Sequence, residues 1–369
     1  MNRIVIPALL AALGTCSAQA GTPLPSTAEL NALGAMTREW AREHDFNGVI
    51  MASAPGRQPY QLTRGIAGPE TERTLAPDTR FQTGSVEKYF AAIAVFALVD
   101  EGVLELDTPI SAYLPYYRND IGERLTLRHL LSNRSGLPND ILQAFRRAAN
   151  GEREAVDAIG VAEAVSLFAS GDLGFEPGSQ FDYVLSNWLL VQHLLETVTG
   201  IPYPQVRARY VFEPAGMIGS GGYIHDLYET DPPVDNVAIG FDPRDPEGRG
   251  DYWSPRFFKG SYTTAADMIA LERALDDGRL MSERSLDLFR TLQAPGNAYA
   301  FGGRYSDWDV CGESHYISTQ SGSNGATTIT SAFDTQTGYA VAIMSNVDES
   351  QGEMFALSAQ LIETMAGCR

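Results

Sequence analysis

Phe81-Gln82-Thr83-Gly84-Ser85-Val86-Glu87-Lys88 leads from an apolar strand-like residue, through a threonine and a glycine, into the apolar, alanine-rich run Tyr89 to Val99. That order is the mark of a strand entering a buried helix. Lys88 is one of only two lysines among 27 basic residues; arginine supplies the rest. Arginine stays protonated at any accessible pH, whereas a desolvated lysine can fall to a pKa at which it accepts a proton. A lysine kept inside an apolar helix therefore predicts proton-transfer chemistry. Positions i and i+3 share a helix face, so Ser85 and Lys88 project together, and Ala92, Val95 and Val99 continue that face as apolar packing. The helix N-terminus adds positive dipole, and the N–H of Ser85 is placed to help hold a developing oxyanion. The stretch reads as a serine nucleophile beside its lysine base.

Outward from this segment, 369 residues with 44% hydrophobic content suffice for a sizeable core, in one large or two interleaved domains. Residues 1–20 read as a secretory signal peptide: Arg3 is the positive region, Ile4 to Leu13 the apolar core, and Ala18-Gln19-Ala20 the cleavage site. Cys16 follows Leu13-Gly14-Thr15, where Thr15 fits a lipoprotein signal poorly, so cleavage after Ala20 and a periplasmic or secreted product are expected. Removing Arg3, the one charge in this segment, moves the net charge from −19 to −20. So acidic a surface repels nucleic-acid phosphates and anionic lipid heads, and it also keeps an exported chain in solution. No later run is apolar over 18 residues, so no integral membrane segment is expected after cleavage. Cys311 and Cys368 then remain, with two readings open: one disulfide tying the tail to the segment before the last strands, or two separate thiols.

Residues 28–42 read as an amphipathic helix with Thr27 as its N-cap. Gly48 to Ala52 and Pro59 to Arg64 read as strands around Ala54-Pro55-Gly56-Arg57. Residues 108–215 are mainly helical in pattern, and 219–259 form an irregular excursion rich in Gly, Pro and Asp. A helix follows near Ala265 to Asp276, then strands at Thr327 to Phe333 and Tyr339 to Ser345, then a helix from Gln351 to Met365. Strands at both ends with helices between them predict an α+β fold: an antiparallel sheet built from both termini, flanked by helices, with a mainly helical domain inserted, all within residues 21–369.

From about residue 45 to 365 the chain resembles the penicillin-recognising serine hydrolases: class C β-lactamases, D-alanyl-D-alanine carboxypeptidases and related esterases. The likeness is carried by Asp78-Thr79-Arg80-Phe81 before Ser85 and by Glu101-Gly102-Val103-Leu104-Glu105-Leu106-Asp107 after it. It continues in Leu127-Arg128-His129-Leu130-Leu131, Ser135-Gly136-Leu137-Pro138, Pro177-Gly178, Glu196-Thr197-Val198-Thr199-Gly200 and Thr263-Thr264-Ala265-Ala266-Asp267-Met268. The resemblance implies the β-lactamase/transpeptidase-like fold and acyl-enzyme chemistry with no metal and no organic cofactor. By the same likeness Tyr183 shuttles the serine proton, and the Ser323 N–H joins that of Ser85 in the oxyanion hole.

Two motifs depart from the family's pattern. Tyr-x-Asn becomes Tyr183-Val184-Leu185, with Asn187 one turn on as a candidate for the missing amide. Lys-Thr-Gly or His-x-Gly becomes Gln320-Ser321-Gly322, the expected substrate-binding stretch. Gln320 brings no positive charge, and a cation is the natural partner of a substrate carboxylate. The expected substrate is thus a small ester, amide or peptide, with carboxylate-dependent carboxypeptidase or β-lactamase activity as the alternative. Lys259, beside Gly260-Ser261-Tyr262, reads as a surface lysine or as a cation reaching in from another side. A further alternative, of a different class, is a catalytically silent relative that binds peptidoglycan fragments or a partner protein. There is no G-x-S-x-G elbow, H-E-x-x-H, C-x-x-C or glycine-rich phosphate loop. Asp242-Pro243-Arg244-Asp245 with Glu247 and Gly248 misses the calcium-loop pattern.

Overall fold

The computed structural model describes residues 25–69, 73–222, 235–243, 245–249 and 253–368. The signal segment 1–20, Cys16, Arg244 and part of the excursion 219–259 therefore lie outside the described residues.

The sheet grows from the apolar runs near the two ends of the chain. Strand β1 (Gly48–Ser53) pairs on one side with β2 (Tyr60–Arg64). On its other side lies β10 (Ala340–Ser345), next to β9 (Thr327–Asp334), β8 (Glu313–Asn324) and β7 (Arg304–Val310). All five pairings are antiparallel, in the order β2-β1-β10-β9-β8-β7. Between these groups come short β3 (Phe81–Gln82), β4 (Phe241–Asp242), β5 (Asp245–Arg249) and β6 (Tyr262–Thr263), with β3 paired to β6 and β4 to β5.

Successive strand residues face opposite sides of a sheet, and here each side has its own core. Val49, Met51, Ile329, Phe333, Ala340, Ala342 and Met344 pack into one. Ile50, Ala52, Ala332, Val341 and Ile343 pack into the other. Helix α1 (Thr27–Glu43) and the last helix, α7 (Gln351–Ala366), cover the second side. α5 (Ala265–Asp276) packs across the first. Helical cover on both faces explains why β1 and β10 are apolar at nearly every position rather than alternating. The cap of α1 is Ser26, whose hydroxyl accepts the Glu29 N–H at 3.2 Å; Thr27 already lies inside the helix, which begins one position earlier than expected.

Helix α2 (Glu87–Asp100) runs through the larger core, buried almost all round. Phe90, Ile93, Val95, Phe96 and Leu98 are essentially inaccessible, each contributing about 1.5–3 kcal/mol of burial. Helices α3 (Leu127–Leu131) and α4 (Leu185–Thr199) pack on each other, and α4 packs on α2. α6 (Glu283–Arg290) closes the far end of α2. Among the described residues no helix is long and apolar enough to cross a membrane.

The β7–β8 hairpin turns through Cys311 and Gly312, both with positive φ (58° and 86°), the two-residue geometry whose twist suits antiparallel strands. Cys311 is joined there to Cys368 beyond α7, with the Cα atoms 5.6 Å apart and the two residues 57 positions apart in sequence. A loop of that length removes about 4 kcal/mol of chain entropy from the unfolded state. The double variant Cys311→Ser/Cys368→Ser is therefore expected to lose up to about 4 kcal/mol in a urea titration. Reduction of the wild-type protein should reproduce that loss.

Candidate active site

Ser85 lies on a single 3₁₀ turn, Gly84–Val86, that runs straight into α2. The turn is pressed against β8. Gly84 has φ of 52°, and a Cβ there would meet the Ser323 backbone at 2.7–2.9 Å. A Cβ on Gly322 would lie 2.1 Å from the Thr83 carbonyl oxygen and 2.9 Å from the Ser85 nitrogen. Only glycine fits at either position. Thr83 N–H donates to the Ser261 carbonyl at 3.0 Å, and Asn324 donates to the Gln82 side chain, so both edges of the contact are tied down. Ser85 and Ser323 consequently line one small cavity together.

Lys88 Nζ donates to Ser85 Oγ at 3.0 Å, and the lysine is 5% exposed. Among the described residues it has no ion-pair partner. Its neighbour Glu87 is also buried, but the carboxylate is already engaged: Arg207 at 2.6 Å and Tyr203 at 3.0 Å on one oxygen, Ser261 at 2.7 Å and Thr83 at 3.2 Å on the other. Tyr183 stands over the lysine, its ring centroid 4.9 Å from Nζ, and remains 37% exposed. The hydroxyl of Tyr183 makes no hydrogen bond to Ser85 or Lys88; the contact is of ammonium with ring face.

Two cavities open on Ser85. One of about 70 Å³ touches Ser85, Lys88, Leu185, Phe258, Lys259 and Ser323. The other, about 240 Å³, is bounded by Ser85, Tyr183, Arg304, Gln320, Ser321 and Gln351. Gln320 and Ser321 thus share a wall with the nucleophile, while Gly322 forms the close contact described above. Gln320 is buried, its Nε2 donating to Ser318 Oγ at 2.8 Å and to the Arg304 carbonyl at 3.4 Å.

One residue stands elsewhere than the sequence suggested, one is paired, and one was not foreseen. Asn187 is fully buried on α4, its carbonyl accepting from Ser135 at 2.6 Å and its amide donating to Asn133 at 3.1 Å. Its side chain braces the Ser135-Gly136 loop, and Leu185 occupies the wall beside Ser85. Lys259 reaches the smaller cavity from another side, as one of its two readings expected, and there it forms an ion pair with Glu196. Arg304, one strand over from Gln320 and opposite Thr319, brings a cationic residue to the lining of the larger cavity. Its guanidinium donates to the Asn297 carbonyl at 2.5 Å and lies 5.2 Å from the Tyr299 ring. Gln351, at the start of α7, donates to Ser323 Oγ at 2.8 Å and completes that wall. Gly302-Gly303-Arg304 was the available signal, since two glycines before a charged residue bring backbone close to a pocket.

A family model described as Beta-lactamase matches residues 29–365. The chain is 28% identical over 267 residues to the putative penicillin-binding protein PbpX of Bacillus subtilis (strain 168), covering 71% of this chain and 62% of that one. It therefore spans less than two thirds of that relative. Esterase EstB of Burkholderia gladioli is 27% identical over 298 residues, covering 71% of this chain and 74% of its own. The structure of a penicillin binding protein from Bacillus halodurans matches with a TM-score of 0.73 at 24% identity, covering 88% and 97% of the two chains; this likeness bears on the fold.

The Glu87–Arg207 pair holds the turn that carries Ser85, and both members are buried. Breaking a buried pair from one side leaves an uncompensated charge, at a cost of about 3–5 kcal/mol. Arg207→Met should lower stability by that amount in a denaturant titration. The double change Glu87→Gln/Arg207→Met should recover part of the loss.

Proposed function

The chain belongs to the β-lactamase family, and from that premise we propose that it hydrolyses a small ester or amide through an acyl-enzyme on Ser85. The observation that carries this reading is the 3.0 Å contact between Lys88 Nζ and Ser85 Oγ, made by a lysine with no carboxylate partner among the described residues. An acid in contact would hold the amine in its charged form; Glu87 is kept occupied by Arg207 instead.

Ser85 Oγ attacks the substrate carbonyl and passes its proton to Lys88, with Tyr183 relaying a proton to the leaving group. Charge on the carbonyl oxygen is met by the N–H groups of Ser85 and Ser323, residues that line one cavity. Water then attacks the acyl-enzyme, regenerating Ser85 and releasing the acid. The similarity to an esterase supports the ester reading, and that to a penicillin-binding protein supports an amide or peptide. We also propose that the protein works outside the cytoplasm, a reading supported by the Cys311–Cys368 bond.

A second reading is favoured by Arg304. A guanidinium in the wall of the larger cavity is a partner for a carboxylate, so the uncharged Gln320 does not by itself disfavour carboxylate-bearing substrates such as peptides or β-lactams.

Intact-mass analysis after exposure to a fluorophosphonate, a p-nitrophenyl ester and penicillin tests the first reading. The expected result is a single adduct, absent in Ser85→Ala, with ester turnover falling about 10²–10⁴-fold in Lys88→Ala. No adduct from any of the three would leave the silent binding relative as the better account. For the second reading, Arg304→Gln should raise KM about 10-fold for a carboxylate-bearing ester and leave the neutral analogue unchanged, as expected for the loss of one charged contact.

A further inference from the structure

Beneath the strand that carries Gln320 runs a buried polar chain that the acyl-transfer steps leave unused. Gln320 and Ser318 lie two residues apart on β8 and share a face. Gln320 Nε2 donates to Ser318 Oγ at 2.8 Å, and Ser318 Oγ donates to Glu272 Oε1 at 2.8 Å. The other oxygen of Glu272 accepts from Tyr89 Oη at 3.4 Å, and Tyr89 Oη lies 2.9 Å from Tyr305 Oη. All four side chains behind Gln320 are buried. Tyr305 follows Arg304 on β7, so the chain runs behind the wall of the larger cavity that Arg304 and Gln320 form, and Tyr89 follows Lys88 on α2.

A hydroxyl has one proton to give and two lone pairs to offer. When Glu272 is ionised it only accepts, so the Ser318 proton points at the carboxylate and Ser318 offers Gln320 a lone pair. That arrangement holds Nε2 inward and leaves Oε1 beside Gly303, where a Cβ would lie 2.7 Å from it. When Glu272 is protonated it can donate to Ser318, and the serine proton is released to turn toward Gln320. The carboxamide can then turn over, with Oε1 accepting from Ser318 at the expense of the 3.4 Å contact with the Arg304 carbonyl, and with the two Nε2 protons toward the cavity.

We infer that Glu272 is a positioning residue which, acting through Ser318, sets whether Gln320 presents an acceptor or a donor to the substrate. The inference rests on reading the Ser85 cavity as the hydrolytic site. Burial, opposed by Arg290, pushes the Glu272 carboxyl up to about 7. The charged and titratable groups that face it are Arg290 on α6, which is paired with Asp276, then Asp276 on its own helix, Tyr89 on α2 and Tyr305 on β7. Asp276 favours the neutral carboxyl and Arg290 the ionised one. As pH falls through this value Glu272 takes up a proton, and Gln320 becomes a donor to a carbonyl or carboxylate oxygen.

Glutamine-labelled ¹⁵N NMR reads the carboxamide directly, with the Gln320 side-chain signal identified by its loss in Gln320→Met. The signal is expected to titrate with a midpoint near 7 in the wild-type protein and to stay flat in Glu272→Gln and in Ser318→Ala. KM for a neutral ester should rise several-fold through the same range in the wild type only, with kcat little changed. A Gln320 signal that is flat in the wild type, or that still titrates in a folded Glu272→Gln or Ser318→Ala protein, overturns the inference. The NMR readout needs no turnover. Absence of Ser85-dependent hydrolysis alongside an intact titration would therefore count against the hydrolase reading and leave the relay standing.

Discussion

The site is set by how closely two backbones approach. The Thr83–Ser85 turn and the end of β8 come within the distance that one methyl group would fill, and glycine occupies both facing positions, Gly84 and Gly322. This contact brings Ser85 and Ser323 to one cavity. The walls of both cavities follow from it, because Ser85 is their common lining residue. The contact also joins the two ends of the fold: the turn opens the central helix, and β8 belongs to the sheet that the C-terminal residues complete.

Charge around the nucleophile follows from keeping acids away from Lys88. A carboxylate sits next to it in sequence, yet Glu87 is engaged by four donors from other elements and the preceding turn. Desolvating two charges together is tolerable only with such complete hydrogen bonding. Arg207 therefore acts on the site from a distance, by occupying the carboxylate that neighbours Lys88 in sequence. The tyrosine ring over the ammonium adds cation–π contact without adding a negative charge.

Much of this was legible in the sequence, for identifiable reasons. β1, β9 and β10, α2 and the C-terminal helix carry dense apolar or β-branched runs, and the helix Ala265–Asp276 falls where its pattern places it. β7 and β8 were not legible as strands. Arg304–Val310 and Glu313–Asn324 are rich in Ser, Asp, Thr and Gln, because part of one face lines a cavity and binds polar partners instead of filling a core. Arg304 was missed for the same reason: its partner across the ladder is 15 residues away in sequence. Asn187 was misread because position on a helix fixes the face but not the neighbours, and Ser135 and Asn133 meet it from a distant loop.

Those polar strands also give the nucleophile two unlike sides. An acyl-enzyme on Ser85 must divide its substrate between them. On one side Leu185 and Phe258 narrow a space of about 70 Å³, room for a small group. On the other, about 240 Å³ is faced by Arg304, Gln320, Ser321 and Gln351. A polar or anionic portion is desolvated at less cost where a guanidinium and carboxamides replace its water. Selectivity should therefore lie in which end of the substrate carries its polar group as much as in the bond that is cut. Because the guanidinium comes from the edge strand and the carboxamide from the strand beside it, charge recognition and hydrogen-bond recognition are separately adjustable on one fold.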